Sequence, residues 1–412
     1  MIKQYCFLFL AAHTVLFSAA QTNSSAKTDL KNYYPPANNW EHRTPESVGL
    51  KADIIKQAVD TAKFYESKNP RNMEINHYQT FGKEPFGEGI GPFEERGNQT
   101  GIIVYKGYII ASWGDVTKCD MTHSVTKSFL STVVGLAVDK GLIASTQDLV
   151  ANYVPPIELY NQSSTNRPAE LFGQPQLLHP FETPHNSTVT WETMLRQTSD
   201  WEGTLWGKPD WADRPDADAS KWHNRKRNKQ GTVYEYNDVR VNALSLATTS
   251  VWRQPLPQVL KQYIMDPIGA STTWRWTGYR NAWIVLDGQP VQSVSGGGHW
   301  GGGMFIHAED MARFGLLTLR KGKWNDQQLL SEKWIKEATT PTSVKKDYGY
   351  MNWFLNVDGQ LLPSAPNSAF MHIGNGNNVI YVDPKNDLVV VLRWIDSKGI
   401  DKTIQQILAS LN

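Results

Sequence analysis

The segment "SVTKSFLSTVVGLAVDKGLI", which begins at Ser124, has apolar residues on nearly every face of a helix. A helix of this kind cannot keep one side in water, so the rest of the protein must enclose it. The helical pattern stops at Lys140-Gly141, where a glycine is typical of a helix end. The sequence therefore predicts a globular domain built around one central buried helix, with Ser124 at or near its N-terminus.

Strand patterns occur on both sides of this helix. The stretch "GIIVYKGYIIASWGD" before it predicts a hairpin that turns at Lys106-Gly107, and "NNVIYVD" and "DLVVVLRW" predict two strands near the C-terminus. The stretches "LKADIIKQAVDTAKFY" and "IDKTIQQILASL" have helical spacing. We expect the first and last strands to pair in space, which gives an α+β fold with an antiparallel sheet flanked by helices.

The chain divides into four segments. Residues 1–20 contain Lys3, an apolar run and small residues up to Ala20, a pattern that predicts a secretory signal peptide. Residues 21–45 lack periodicity and predict a poorly ordered leader. The domain is expected over residues 46–412, with an α/β part at 46–149 and 266–412. The region between them, residues 150–265, contains Pro-rich and Trp-rich loops and is expected to be a mainly helical insertion.

Composition narrows the class of partner. The 41 basic and 40 acidic residues leave a net charge of +1, so a small molecule is expected as the partner and nucleic acid is not. No stretch after the signal reaches the roughly 20 apolar residues of a membrane span. Without the signal, Cys119 is the only cysteine, which excludes an intrachain disulfide and favours a packing role. The mature protein is expected in the periplasm or the medium, and its oligomeric state stays open.

Ser124 and Lys127 are three residues apart, so on a helix they share one face. A serine needs a base to become a nucleophile, and a lysine serves if burial lowers its pKa from about 10.4. The helix N-terminus adds backbone N–H groups that favour an oxyanion. Ser-x-x-Lys also occurs at Ser24 and Ser343, where no apolar helix follows. The alternative interpretation is a helix N-cap serine beside a surface lysine.

Several further segments give a resemblance to a known family. In chain order they are "HSVTKSF", "GTVYEYND", "GGGMFIHAEDMARFGLL", "LLSEKWIKEATTP" and "MHIGNGNNVIYVDPKNDLVVVL". Together they resemble the serine β-lactamase-related hydrolases, which include class C β-lactamases, DD-peptidases, β-lactamase-type carboxylesterases and 6-aminohexanoate-dimer hydrolases. The resemblance covers residues 45–412, keeps the family's order and implies a β-lactamase/transpeptidase-like fold.

The resemblance implies roles for particular residues. The family's first motif falls on Ser124 as nucleophile and Lys127 as base. Its second, Tyr-x-Asn, falls on Tyr236-x-Asp238, which implies that Tyr236 relays a proton to the leaving group. Asp238 replaces the asparagine that usually contacts a substrate amide. A strict Tyr-x-Asn occurs at Tyr350-Met-Asn352, but it is out of order and ranks second.

The family's third motif, Lys-Thr-Gly or His-x-Gly, falls on His372-Ile-Gly374. The resemblance implies that the N–H of Asn375 completes an oxyanion hole with that of Ser124. Histidine is mostly neutral at pH 7, so penicillin-type acids are expected to bind less well. His299-Trp-Gly301 also matches His-x-Gly, but it lies inside the segment "SVSGGGHWGGGMF". This glycine-rich segment predicts a turn beside the pocket and not a dinucleotide-binding loop.

Two further segments bear on the site and on the partner. Trp201 follows "MLRQTSD", which resembles the family's "LLTHTSG" loop, and is a candidate wall for the substrate. The basic run "KWHNRKRNKQ" predicts a solvated loop. The motifs H-E-x-x-H, the Walker loop and paired cysteines are lacking, so the sequence supports no metal site and no cofactor.

The sequence leaves three functions open. The first is a secreted serine hydrolase that cleaves small esters or amides through an acyl-enzyme on Ser124. The second keeps the fold and assigns β-lactam or D-Ala peptide cleavage, which Asp238 and His372 disfavour. The third is a non-catalytic protein that binds a glycan in a Trp-lined cleft, disfavoured because Ser124, Lys127 and Tyr236 are all present.

Overall fold

The structure is a computed structural model and describes residues 33–160, 176–223 and 225–411. The predicted signal peptide and residues 21–32 of the predicted leader lie outside these ranges. None of the helices formed by the described residues is long and apolar enough to span a membrane.

Helices and strands alternate in groups along the chain. The α-helices are α1 (Ala52–Phe64), α2 (Met73–Thr80), α3 (Thr126–Asp139), α4 (Trp191–Leu195), α5 (Asp238–Trp252), α6 (Leu256–Leu260), α7 (Ala308–Leu319), α8 (Glu332–Ala338) and α9 (Ser397–Ala409). The strands are β1 (Thr100–Tyr105), β2 (Tyr108–Trp113), β3 (Asp120–Met121), β4 (Ile157–Glu158), β5 (Leu177–Leu178), β6 (Thr204–Leu205), β7 (Lys208–Pro209), β8 (Arg275–Leu286), β9 (Gln289–Val294), β10 (Gly303–Ile306), β11 (Lys323–Trp324), β12 (Gln327–Gln328), β13 (Phe354–Leu355), β14 (Phe370–Gly374), β15 (Asn378–Asp383) and β16 (Leu388–Arg393).

The main sheet is antiparallel and has the order β13-β14-β15-β16-β1-β2. Strand β1 forms the predicted hairpin with β2 and pairs along its whole length with β16, from Thr100 opposite Arg393 to Tyr105 opposite Leu388. The expected pairing of the first and last strands is therefore confirmed, and so is the α+β class.

Helices cover both faces of this sheet. Because side chains alternate along a strand, Val390 of β16 packs with Ile55 of α1 and Ile404 of α9, whereas Val391 packs in the larger cluster that contains Phe314 of α7. Helix α3 lies in that larger cluster, and twelve of its fourteen residues are buried. The predicted central helix is confirmed, and it starts at Thr126, after a 3₁₀ turn over His123–Val125.

A second sheet, with the order β3-β10-β8-β9, was not anticipated from the sequence. Its long hairpin, β8 and β9, follows α6 and a π-helical turn over Lys261–Met265, and the chain returns to strands at Arg275. The glycine-rich loop between β9 and β10 passes over α3 and α5, where Gly296 approaches Leu130 and Val241.

The region over residues 150–265 differs from the expected helical insertion. Its described part before α5 consists of short strands, 3₁₀ turns and loops, with one short helix, α4. Buried ion pairs tie these loops together: Arg240 of α5 contacts Asp200 at 2.7 Å and Asp210 at 3.2 Å. Arg227 contacts Asp210 at 2.6 Å, so the basic run expected to be a solvated loop is instead anchored to two carboxylates. Charge pairing gives no periodicity, so the sequence pattern could not predict this arrangement.

Residues 33–45 differ from the prediction of a poorly ordered leader. Tyr33 stacks on Tyr108 of β2 with ring centroids 4.2 Å apart. Trp40 is buried, and its indole N–H donates to the carbonyl of Gly107 at 2.8 Å. These aromatic contacts depend on the folded hairpin and cannot be inferred from local composition.

Arg393 generates a prediction about stability, because it is buried at the junction of the two sheets. It is paired with Asp120, and it donates to the carbonyl of Met121 at 2.8 Å and to Asn378 at 3.0 Å. Replacing Arg393 by Ala leaves the Asp120 carboxylate buried without its cation. We expect the free energy of unfolding to fall by about 3–5 kcal/mol in urea denaturation.

The control is Arg253→Ala, which breaks an exposed pair with Asp287 and should cost no more than about 1 kcal/mol. Equal losses for the two variants would contradict the structural role given to Arg393.

Candidate active site

Ser124 is the one residue between 120 and 137 whose side chain is not buried. The residue before it, His123, has a φ of +48°. Such a left-handed backbone is unfavourable for a residue other than glycine and persists only where the surroundings enforce it. The turn presents Ser124 at the N-terminal end of α3, while the rest of the segment stays in the core.

Lys127 lies directly beneath Ser124. Its Nζ is 2.8 Å from Ser124 Oγ, and its side chain is completely buried. Burial lowers the pKa of Lys127, and the nearby Asp238 carboxylate opposes this effect by favouring the ammonium form. Sequence spacing alone left open a surface lysine. The structure excludes that alternative, because Lys127 points inward.

Tyr236 lies next to Lys127. Lys127 Nζ lies 4.6 Å from the centre of the Tyr236 ring. Burial and the Asp238 charge raise the pKa of Tyr236, while Arg214 and the Ser124 hydroxyl lower it. The phenol is therefore protonated at neutral pH and can donate a proton next to Ser124.

Asp238, at the start of α5, is buried between two cations. Its Oδ1 is 2.6 Å from Lys127 Nζ, and its Oδ2 is 3.0 Å from Arg214 Nη1. Burial by itself raises the pKa of Asp238, but Lys127 and Arg214 outweigh it, so the net pKa is lowered. Both carboxylate oxygens are thus engaged inside the protein, which differs from the substrate contact implied for this position.

The end of β14 lies against the turn that carries Ser124. A Cβ atom added at Gly374 would lie 2.0 Å from the carbonyl oxygen of Thr122 and 3.1 Å from the backbone nitrogen of Ser124. Only glycine permits this approach. Asn375 follows directly, so the structure brings its backbone next to that of Ser124, as the third motif implied. That its N–H donates to an oxyanion stays a prediction.

His372 and Trp201 do not face an open cleft. His372 is fully buried among Phe314, Trp353 and Phe370, and burial lowers its pKa to about 3. Trp201 is also buried, with its indole N–H donating to the carbonyl of Pro180 at 2.7 Å. Both differ from the substrate-binding roles expected for them, because each side chain is part of the core.

The predicted turn at Gly296-Gly-Gly298 lies against the buried pair Lys127 and Asp238. A Cβ at Gly297 would lie 1.8 Å from Asp238 Oδ1 and 2.2 Å from Lys127 Nζ. The glycine loop therefore covers the buried ion pair and leaves no room for a side chain. Its neighbour His299 lies 3.8 Å from Asp238 Oδ2, although it belongs to a loop and not to the strand motif.

One group of side chains has the donor atoms of a metal site. Oxygens of Glu84 and Asp213 and a ring nitrogen of His299 lie within 4.8 Å of one another. His299 Nε2 is already 2.7 Å from Glu84 Oε2, and Arg214 Nη1 is 2.5 Å from Asp213 Oδ1. A guanidinium in contact with one of the carboxylates opposes a second cation, so we assign the group to the ion-pair network of the site.

Sequence reasoning missed Arg214 and Asp213, and it placed Gly297 in a turn without predicting its approach to Lys127 and Asp238. Arg214 and Asp213 lie in "DWADRPD", 22 or more residues before the Tyr236 motif, in a Trp-rich loop without periodicity. The signal available was chemical: Asp238 replaces a neutral amide beside Lys127, and a buried carboxylate calls for a further cation.

Comparisons with known proteins identify the family and the fold. The sequence model of the β-lactamase family, described as "Beta-lactamase", matches residues 120–397. A protein of Escherichia coli O157:H7 named "Putative D-alanyl-D-alanine carboxypeptidase" is 24% identical over 195 residues, which cover 39% of this chain and 45% of that protein. The matched part therefore spans less than half of the length of this relative.

Solved structures share the fold at low identity. A penicillin-binding protein homologue from Caulobacter crescentus has a TM-score of 0.53 and 14% identity, covering 88% of this chain and 99% of that one. A hydrolase described as having promiscuous acyltransferase activity has a TM-score of 0.51 and 13% identity, covering 87% and 98%. Similarity at this level supports the fold.

Gly297 provides a test of the site's geometry. Gly297→Ala places a methyl group on the Lys127–Asp238 pair and must displace it. We expect the rate at which a fluorophosphonate probe labels Ser124, followed by intact mass spectrometry, to fall about 100-fold.

The matched control is Gly97→Ala, whose Cβ meets only the flexible stem of Lys118 at 3.2 Å and Asp120 at 3.4 Å. Wild-type labelling of the Gly297 variant would show that the loop does not define the position of Lys127.

Proposed function

Since the chain belongs to the β-lactamase family, whose members are serine hydrolases, we propose that it cleaves small esters or amides through an acyl-enzyme on Ser124. The observation that carries the proposal is the contact of 2.8 Å between Lys127 Nζ and Ser124 Oγ, at the one accessible position of an otherwise buried segment.

In the proposed acylation, the neutral amine of Lys127 takes the proton of the Ser124 hydroxyl as Oγ attacks the substrate carbonyl carbon. The carbonyl π bond opens, and the resulting oxyanion accepts hydrogen bonds from the N–H groups of Ser124 and Asn375. When the tetrahedral intermediate collapses, the bond to the leaving group breaks and that group takes a proton from Tyr236. Lys127 then returns a proton to Tyr236.

Deacylation repeats the sequence with water as the nucleophile. Lys127, acting with Tyr236, takes a proton from water as the water oxygen attacks the ester carbonyl. Ser124 then leaves, and the same proton is returned to its Oγ. The acid is released and the enzyme is regenerated. The same residues therefore serve both halves of the reaction.

The electrostatics of the site favour substrates without a carboxylate next to the scissile bond. Lys127 is committed to Asp238, and His372 is buried and neutral, so neither supplies the free cation that a penicillin-type acid needs. We therefore place esters and amides first and β-lactams or D-Ala peptides second. The name of the Escherichia coli relative is what supports D-Ala peptides. Export before action is also part of the proposal, through the signal-like residues 1–20.

The first test is Ser124→Ala with two substrates. Wild type should gain one fluorophosphonate adduct and release nitrophenol from p-nitrophenyl butyrate, and Ser124→Ala should do neither, because the attacking oxygen is missing. Adduct mass and nitrophenol absorbance are the measurements.

Ser131→Ala is the matched control, since Ser131 is a buried serine two turns further along α3 and should retain both activities. Turnover by Ser124→Ala equal to that of wild type would refute the proposal. Nitrocefin or a D-Ala-D-Ala peptide hydrolysed faster than the ester would favour the second substrate class.

The second test concerns Lys127. Because the base must be unprotonated, kcat/KM should rise with pH as Lys127 loses its proton, and burial places that rise below the ordinary lysine range near pH 10.5. Lys127→Arg keeps a cation beside Asp238 but removes a base that can titrate. We expect kcat/KM to fall at least about 100-fold at every pH.

Lys221→Arg, an exposed surface change, is the control and should leave the pH profile unaltered. An Arg variant at position 127 with the wild-type rate and pH profile would exclude Lys127 as the base.

A further inference from the structure

Asp238 creates a difficulty for Lys127 as a base. A buried carboxylate 2.6 Å from Nζ stabilises the ammonium form, and an ammonium group cannot accept the proton of Ser124. An asparagine at this position, as in the family motif, would contact the amine without adding a negative charge. For Lys127 to act as the base, another group in the site must therefore weaken the stabilisation of its ammonium form by Asp238.

Arg214 supplies a compensating charge. Its Nη1 contacts Asp238 Oδ2 at 3.0 Å, on the side of the carboxylate opposite to Lys127, which contacts Oδ1. One negative charge is thus shared by two cations. A guanidinium stays protonated at any pH of interest, so Arg214 remains a cation paired with Asp238. Lys127 is the partner that can become neutral.

The position of Arg214 is fixed from three sides. Asp213 contacts the same Nη1 at 2.5 Å and also accepts the backbone N–H of Asp238. The guanidinium carbon lies 4.9 Å from the centre of the Tyr236 ring and 5.6 Å from that of Phe81. Although 35% of the side chain is exposed, these contacts hold the charge against the catalytic pair.

We propose that Arg214 is a positioning residue that holds the Asp238 carboxylate and thereby frees Lys127 to act as the base toward Ser124. The inference rests on the proposed acyl transfer at Ser124. In this arrangement Arg214 and Asp238 together replace the neutral amide of the family motif, because their opposite charges largely cancel at Lys127.

Other charged and titratable groups around the pair limit the conditions of a test. Burial lowers the pKa of His299 to about 4, so His299 adds no charge at neutral pH. Burial raises the pKa of Asp213 to about 6, so Asp213 is ionised above pH 7. Glu84 contacts His299 and not Arg214 or Asp238, and Tyr348 stays protonated because burial raises its pKa. In wild type above pH 7, Lys127 is therefore the group in this cluster whose charge changes, whereas loss of Arg214 would also raise the pKa of Asp213.

The test is the pH dependence of fluorophosphonate labelling at Ser124 between pH 7 and pH 10, measured by intact mass. Arg214→Met removes the charge and keeps much of the side-chain volume. In this variant the negative charge of Asp238 acts on Lys127 without compensation by Arg214. We therefore expect the pH midpoint of labelling to move up by about one unit or more, with about a tenfold lower rate below the midpoint. Arg214→Lys keeps the charge and should stay closer to wild type.

A double variant separates this role from a structural one. Asp238→Asn alone should move the midpoint down, since Lys127 loses its counter-charge while Arg214 remains. Arg214→Met combined with Asp238→Asn removes one charge of each sign, so its midpoint should return to within about half a unit of wild type. Arg225→Met is the matched control, because Arg225 lies in the same loop, pairs with Asp200 and should not shift the midpoint.

The outcomes are distinct. A proportional loss of labelling at every pH in Arg214→Met, with an unchanged midpoint, would overturn the inference and leave the proposed function intact. A midpoint of the double variant as high as that of Arg214→Met alone would overturn it as well. If wild type is not labelled at Ser124 at any pH, the proposed function fails and the inference fails with it.

Discussion

The buried ion pair between Lys127 and Asp238 is the constraint around which the rest of the structure is arranged. Both side chains are completely or almost completely buried, and each charge would cost several kcal/mol in this environment without a partner. The pair joins the start of α3 to the start of α5, and Gly297 allows the loop between β9 and β10 to close over it. Three separate stretches of chain therefore converge on one contact.

The sheet gives this contact its rigid support. Helix α3 packs in the large core on one face of the main sheet, and β14 of the same sheet approaches the turn at Ser124 through Gly374. Arg393, at the end of β16, connects that sheet to β3, which leads directly into the turn. A displacement of either sheet would change the distance between Ser124 and the backbone that is proposed to bind the oxyanion. Ser124, the proposed nucleophile, is therefore partly accessible in a segment whose other side chains are buried.

Local patterns predicted the parts of this arrangement that depend on periodicity. The apolar α3, the hairpin at Lys106-Gly107 and the last two strands follow from side-chain spacing, and motif order identified the pair Ser124 and Lys127 and the adjacent Tyr236. The parts that were missed depend on long-range charge pairing and close approach. Residues 176–223, the ion pairs of Arg240, and the burial of His372 and Trp201 are determined by contacts between distant segments, which leave no period in the sequence.

Arg214 shows what kind of reasoning could recover such contacts. Asp238 lies next to Lys127, the lysine that is proposed to lose its proton. This proposal requires a second cation that shares the carboxylate. An arginine suits this role because its charge does not change with pH. A second lysine could itself lose its proton, and the Asp238 charge would then act on Lys127 alone. It must also lie on the oxygen that Lys127 does not use, and the loop before α5 is the segment that reaches this side. A charged residue in place of a neutral one in a family motif therefore predicts a compensating charge nearby. For Asp238, we propose that this compensating charge is Arg214.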